Sequence, residues 1–556
     1  MLACNAELDE MNVDPNGIDP ANGNPTLVIP TVLHNVARPY IKDLGYGKIA
    51  GVVQHLQEDA WNEGYNQYDW TQEDWNTWYD QLRNNQYLYE RSVELDYKFH
   101  QGVALTMKSF IFGLITDLWG DAPYTEALKG DKEEAILFPK YDSQEVIYNG
   151  VIEDLKAAIA LFETGDKSGY ASGYDIFYDG DTEQWKKFAG TLILRYSMRV
   201  SEKLPELAKS NIEAIYSSGN HMKTPDDDAT MEYIGTNADN SWPNAVEYDA
   251  SESNWRRRRP AKTFIEALRS KNDPRMQLWF QPVHVQWVVD KTLKTGMDEF
   301  IREDGKIMPD VTSLSESELQ NRIAQGRKYT RHFNPDLYVP SNAENFAGPI
   351  DTSLYVGVPH GMRQTTFFNE NPTTGQVVHN QHASQLSNIF KGSKGGLLKA
   401  RIASASETSF ILAEAALKGW GVGSAEEHYK NGVKNSFTSW GLDSEYARYI
   451  AGDKVAYSGE LGQILEQKWI AGFTTATEAW FDFRRTGFPK LTPGPASAQP
   501  VLPVRFMYGN NELNNNSDNV KGGLTALEET QYSKLAANKN SQWAKPWLLQ
   551  GTGKPW

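Results

Sequence analysis

One stretch, Leu95 to Leu128, constrains the fold of this chain more than any other. Its apolar side chains at Leu95, Phe99, Val103, Met107, Phe110, Ile111, Leu114, Ile115 and Leu118 follow steps of three and four. A helical stripe this broad exceeds what a surface helix needs, so the spacing predicts a helix lying deep in a core. Gly120 and Pro123 mark its end, a C-cap glycine followed by a residue that cannot continue a helix.

Helical spacing recurs on both sides of a long irregular middle. Ser143 to Phe162 carries one face of Ile147, Val151, Leu155, Ile159 and Phe162, with Ser143 placed to cap it. Further on, Arg195 and Arg199 stand four apart on one helix face, where their expected role is structural pairing with acidic neighbours. Helices return at Glu407 to Trp420 and Ser424 to Trp440. Small residues Ala413, Ala415, Ala416, Ala425 and Gly432 allow close approach there, in a tetratricopeptide-like hairpin. Leu461 to Phe473 and Thr477 to Phe483 form another pair. Between these groups, from about Ser218 to Ala400, Pro, Gly, Asn and Asp are frequent and only Thr263 to Leu268 reads as a short helix. So long an irregular region inside a helical protein points to function. Residues 5 to 30 read as an extended tether with turns.

The net charge of −17 excludes the basic footprint that nucleic-acid binding requires. No HExxH, GxSxG or phosphate-loop pattern is present. His379 and His382 lack a third ligand, and Asp226 to Asp228 reads as a solvated loop more readily than as a structural calcium site. Arg256 to Arg259 forms a basic cluster that either grips an acidic glycan or is neutralised by nearby carboxylates. Aromatic residues make up 12% of the chain, including 17 Trp. Trp75, Trp78 and Tyr79 have helical spacing and read as core. Trp61, Tyr65, Tyr68 and Trp70 sit among Asn, Gly, Gln and Asp, so they read as loop aromatics and ligand-binding candidates. Trp242, Trp255 and Trp287 in the irregular middle are further ligand candidates, beside Trp279 and Tyr338.

An ordered series of motifs resembles one family. It runs from Leu118-Trp119-Gly120-Asp121-Ala122-Pro123-Tyr124 with Glu126-Ala127, through Pro139-Lys140-Tyr141-Asp142 and Asp175 to Asp181, to Trp185 to Ala189 and Leu194 to Arg199. It continues with Asp273-Pro274-Arg275, Tyr355 to Gly361, Glu478 to Gly487, and Arg505 to Tyr508 with Glu512 and Asn514 to Asn516. The series is similar to the SusD/RagB family of outer-membrane nutrient-binding lipoproteins, with Gly190 in place of the usual Asn and Gly509 in place of the usual Pro.

The resemblance implies a mostly α fold in which a tetratricopeptide-like helical scaffold, about 75–220 and 405–490, carries a loop-rich ligand-binding half. That half comprises about 221–400 with the loop 58–74. A tether at 1–30 would precede a single domain at 31–556. Met1-Leu2-Ala3-Cys4 matches the end of a bacterial lipobox, and the resemblance favours lipidation at Cys4 over a free thiol. The implied function is glycan capture at the cell surface, without catalysis or cofactor, and delivery to a SusC-like TonB-dependent transporter. Oligopeptide capture in the manner of RagB is the alternative, and a secreted glycoside hydrolase the third reading.

Overall fold

The computed structural model describes residues 23–59, 63–132, 134–294, 300–311, 314–338, 349–363, 365, 368–370, 380–534 and 539–556. Its helical frame comprises, in chain order, α1 (Ile29–Pro39), α2 (Asn76–Glu94), α3 (Lys98–Trp119), α4 (Gln144–Glu163), α5 (Thr182–Arg199) and α6 (Pro205–Ser218). After the irregular middle come α7 (Ala405–Leu417), α8 (Ala425–Ser439), α9 (Leu461–Ala471) and α10 (Thr477–Thr486). The expected mostly α, tetratricopeptide-like scaffold is the fold observed.

Helix α3 holds the position its stripe predicts. Every residue in it except Lys98 and Lys108 is buried. By length and composition it could cross a bilayer, yet protein surrounds it. It packs against α2, α4 and α5. Gly120, at φ +102°, ends it, with its N–H donating to Thr116 O. The same logic shapes its neighbours: the Ser143 hydroxyl caps α4 and the Asp181 carboxylate caps α5. The chain packs α4 on α5 and α5 on α6, then crosses the irregular middle and returns as α7, which lies on both α5 and α8.

Small residues set these approaches. At Gly190 a Cβ would collide with the carbonyl oxygen of Asn220, so the family's usual Asn has no room here. In the α7/α8 hairpin, Ala413 is buried and Gly432 lies against the Phe410 ring, where a Cβ would come within 2.8 Å.

The irregular middle contributes short strands: β1 (Leu56–Glu58), β2 (Ala229–Glu232), β3 (Arg258–Pro260), β4 (Gln286–Val289), β5 (Arg302–Glu303), β6 (Lys306–Ile307), β7 (Tyr329–Phe333) and β8 (Lys399–Ala403). β4, β7, β5 and β6 form one small sheet in that order, with β7 parallel to β4 and antiparallel to β5. β1 pairs antiparallel with β3, and β2 with β8. Trp242, Trp255, Trp279 and Phe280 of the middle join the main core continuously with the helices.

The two halves are tied by buried charge. Arg195 holds Glu407 in a two-pronged pair, each contact 2.7 Å. Arg199 pairs with Asp117 at 3.0 Å and with Glu478. Arg485 grips Glu414 at 2.6 and 2.5 Å and Asp482 at 2.8 Å, while Lys468 meets Asp482 at 2.8 Å. Arg484 donates to the carbonyls of Asp117 and Val504. The sequence expectation that Arg195 and Arg199 pair with acids holds.

Burial raises the Glu478 pKa, but Arg195 and Arg199 outweigh it and leave the carboxyl below its ordinary range. A depressed folded-state pKa contributes stability that is present above the unfolded value and lost as pH falls through the folded one. Removing one partner of a buried pair costs about 3–5 kcal/mol. Glu478→Gln should therefore lower stability by about that much at neutral pH. Denaturant titrations of the variant and the parent should converge as pH drops below the ordinary glutamate range; a gap that stays constant would mean that Glu478 acts through shape alone.

Candidate functional site

β1 and β3 bring the expected loop 58–74 against the arginine cluster. Their register sets Gln57 opposite Arg259 and Glu58 opposite Arg258. Arg258 reaches Glu58 at 3.1 Å, donates to the Tyr65 hydroxyl and the Tyr46 carbonyl at 2.9 Å each, and stacks on the Tyr65 ring at 4.7 Å. Arg259 donates to Asp59 at 2.8 Å. Burial pushes the Asp59 carboxyl up to about 6 against the opposing pull of Arg259. Asn66 closes the loop by accepting from Glu58 N–H and donating to Glu58 O, as a neighbouring strand would. Of the two readings of the cluster, neutralisation by carboxylates describes Arg258 and Arg259.

A polar rim surrounds this seam. Gln385 donates to the carbonyls of Trp255 and Arg258 and faces Gln281 across a strand pair. The His284 ring lies between Gln281 and Gln320, each 3.3 Å from Nε2. Burial, then Arg259 and Lys391, lower its pKa to about 3, so it is neutral and offers one donor and one acceptor. Lys391 pairs with Glu252 at 3.0 Å and covers the Trp255 ring at 4.2 Å. Arg256, Arg257, Gln281, Gln320 and Lys391 are all half-buried. Amides, guanidinium groups and an ammonium of this kind suit a ligand rich in hydroxyl groups.

The aromatic candidates lie elsewhere than their sequence context suggests. Trp61, Cys4 and His379 fall outside the described residues. Tyr65 and Tyr68 are buried, Tyr68 at φ +58° with its carbonyl accepting from Gln542. Trp70 is wedged edge-on between Trp480 and Phe506, at 5.5 and 5.2 Å between ring centres. Trp242 packs on Tyr46 and Tyr233, and Trp255 is fully enclosed. The Trp287 indole N–H donates to Asn369 O, and its ring contacts His382 at 4.8 Å. Among the described candidates, none is an exposed stacking platform, which corrects the expectation of loop aromatics facing solvent. The polar loop sequence misled because Asn66 pairs with the Glu58 backbone, which folds the loop back and lets the rings turn inward. The rim residues Gln281, Gln320 and Lys391 carried no sequence signal; only the Arg256 to Arg259 run pointed to this face.

Two of the three aspartates are engaged with protein, and Asp226 is exposed. Asp227 meets Lys187 and accepts from Lys223 N–H, while Asp228 meets Arg401 and caps Ala405. His382, the described partner of the histidine pair, is buried against the carbonyls of Asn369 and Glu370.

The sequence matches a family model described as starch-binding, associating with the outer membrane, over residues 24–303 and 342–509. No curated protein matches it. Among solved structures, a SusD homologue from Bacteroides fragilis superimposes with a TM-score of 0.69 at 19% identity, covering 95% of this chain and 100% of that one. A chitin-binding protein gives 0.67 at 24% identity, covering 95% and 99%, and a chitin-binding SusD homologue from Flavobacterium johnsoniae gives 0.64 at 20%, covering 94% and 98%.

Trp70→Ala should act as a core truncation, destabilising by about 3–5 kcal/mol. A variant that melts with the parent but loses ligand would return Trp70 to the binding face.

Proposed function

Since the chain belongs to the SusD-like family, whose model covers it from residue 24 to 509 with one gap, we propose that it captures glycans at the outer-membrane surface. It hands them to a SusC-like TonB-dependent transporter. The family match carries this reading, and the chitin-binding proteins of the same fold support it and suggest the first ligands to try. The rim of Arg257, Gln281, Gln320 and Lys391 supplies hydrogen-bonding groups for sugar hydroxyls.

Calorimetric titration with chitin and starch oligosaccharides, and with oligopeptides as a second arm, tests the reading. Arg257→Ala and Gln320→Ala should each weaken glycan binding about tenfold, the scale of an interface contact worth about 1.4 kcal/mol. Peptide binding without glycan binding would move the chain to the alternative. Prolonged incubation should leave the bound oligosaccharide at its original length; shortening would revive hydrolysis.

Cys4 carries the lipid anchor in this reading. Fractionation of cells expressing Cys4→Ser from the native full-length gene should move the protein out of the membrane pellet, and its retention there would place the anchor elsewhere.

A further inference from the structure

A second cleft lies on the helical half and shares no lining residue with the arginine seam. It is a groove of about 470 Å³ between α2 and α3, roofed by the turn that follows Pro123. This size lies within the range of small-molecule pockets, roughly 300–1,000 Å³. Its walls are mainly apolar, from Leu82, Leu105, Phe112 and Leu128, with the rings of Tyr89 and Tyr124 at the sides. Tyr124 is fixed edge-to-face on Phe112 at 4.8 Å and against Gly150 of α4, where no larger residue fits. Tyr89 is half-buried.

The charges at the groove are largely engaged with each other. Lys108 pairs with Asp154 at 2.8 Å, and Glu90 with Lys132 at 2.8 Å. A charged ligand would compete with these contacts, so the lining favours a neutral one. Within the groove, Asn85 is 2% exposed and its amide N–H donates to Ala104 O at 2.8 Å. Its carbonyl oxygen, also buried, accepts nothing from the protein. Turning the amide over would leave Ala104 O facing an acceptor, so the orphan is built into the helix contact. A buried acceptor without a donor costs about 1–3 kcal/mol, a cost that a ligand O–H or N–H would relieve.

We infer that this groove is a second saccharide-binding site, taking a neutral sugar unit whose apolar face lies along Tyr89 and whose hydroxyl or acetamido N–H donates to Asn85 Oδ1. The saccharide class rests on the proposed glycan capture; the groove, the orphan acceptor and the neutral lining do not. Two separate sites would let one chain hold two segments of a polymer, so that the second contact forms at high effective concentration.

The test uses saturation-transfer NMR on the full chain with methyl β-glucoside and N,N′-diacetylchitobiose as probes. Gln86→Trp places a bulky ring at the half-buried groove edge, and Tyr89→Ala removes the proposed platform. Arg257→Ala lesions the seam and leaves the groove intact. Saccharide signal should persist in Arg257→Ala, and adding Gln86→Trp or Tyr89→Ala to that background should lower it about tenfold, with melting temperatures confirming that each variant is folded. Signal abolished by Arg257→Ala alone, or unchanged when Gln86→Trp or Tyr89→Ala is added to folded Arg257→Ala, overturns the groove and leaves the proposed function standing. Absence of saccharide signal from the parent protein overturns both. If Gln86→Trp alone fails to fold, Tyr89→Ala decides.

Discussion

The structure depends on a balanced set of charges removed from water. Arg195, Arg199, Lys468, Arg484 and Arg485 meet Asp117, Glu407, Glu414, Glu478 and Asp482 across five helices, α3, α5, α7, α9 and α10. Desolvating each ion costs several kcal/mol, which is repaid only when partners and geometry are complete. Such a network tolerates few alternative packings, because a helix shifted by one turn would leave a buried ion unpaired. It therefore joins the N-terminal helices to the C-terminal hairpins in one register. The irregular middle can then be long, since its ends, near α6 and at α7, are already fixed in relation to each other.

The middle is held differently. Aromatic rings, rather than secondary structure, fasten it to the helices. Phe264 stacks on Phe473 at 5.4 Å and meets the Trp469 ring edge-on at 5.0 Å, and it also stacks on Trp279 within the middle at 5.9 Å. Large rings bury much apolar area per residue, so a few of them can anchor chain that has little regular hydrogen bonding of its own. A high tryptophan content in this fold accordingly serves cohesion. The ligand-facing surface is left to half-buried amides and cationic side chains that those rings position from beneath.

Much of the frame was legible in the sequence. The stripe through α3, the Ser143 cap of α4 and the close α7/α8 hairpin depend on interactions within a turn or two of chain or on residue size, whereas Arg195 and Arg199 announced only that they needed acids, which come from distant helices. The site was far less legible. Trp70 and Trp242 stand in polar sequence, yet they pack on Phe506 and Trp480 in one case and on Tyr46 and Phe390 in the other. Sequence context reports the neighbours along the chain, whereas burial depends on neighbours from hundreds of residues away.

The sequence by itself determined the fold class and the family, because helical periodicity, caps and an ordered motif series are local properties repeated along the chain. Tertiary structure decided which aromatics are core, which arginines are already paired, and where amides and cations reach solvent together. Gln281 and Gln320 come to opposite sides of His284, and Arg258 comes to rest on Tyr65, only after β1 has paired with β3 and the middle has closed over the helices. Long-range pairing of this kind leaves no periodic trace in the chain, since its cost and its gain both fall on residues far apart in sequence.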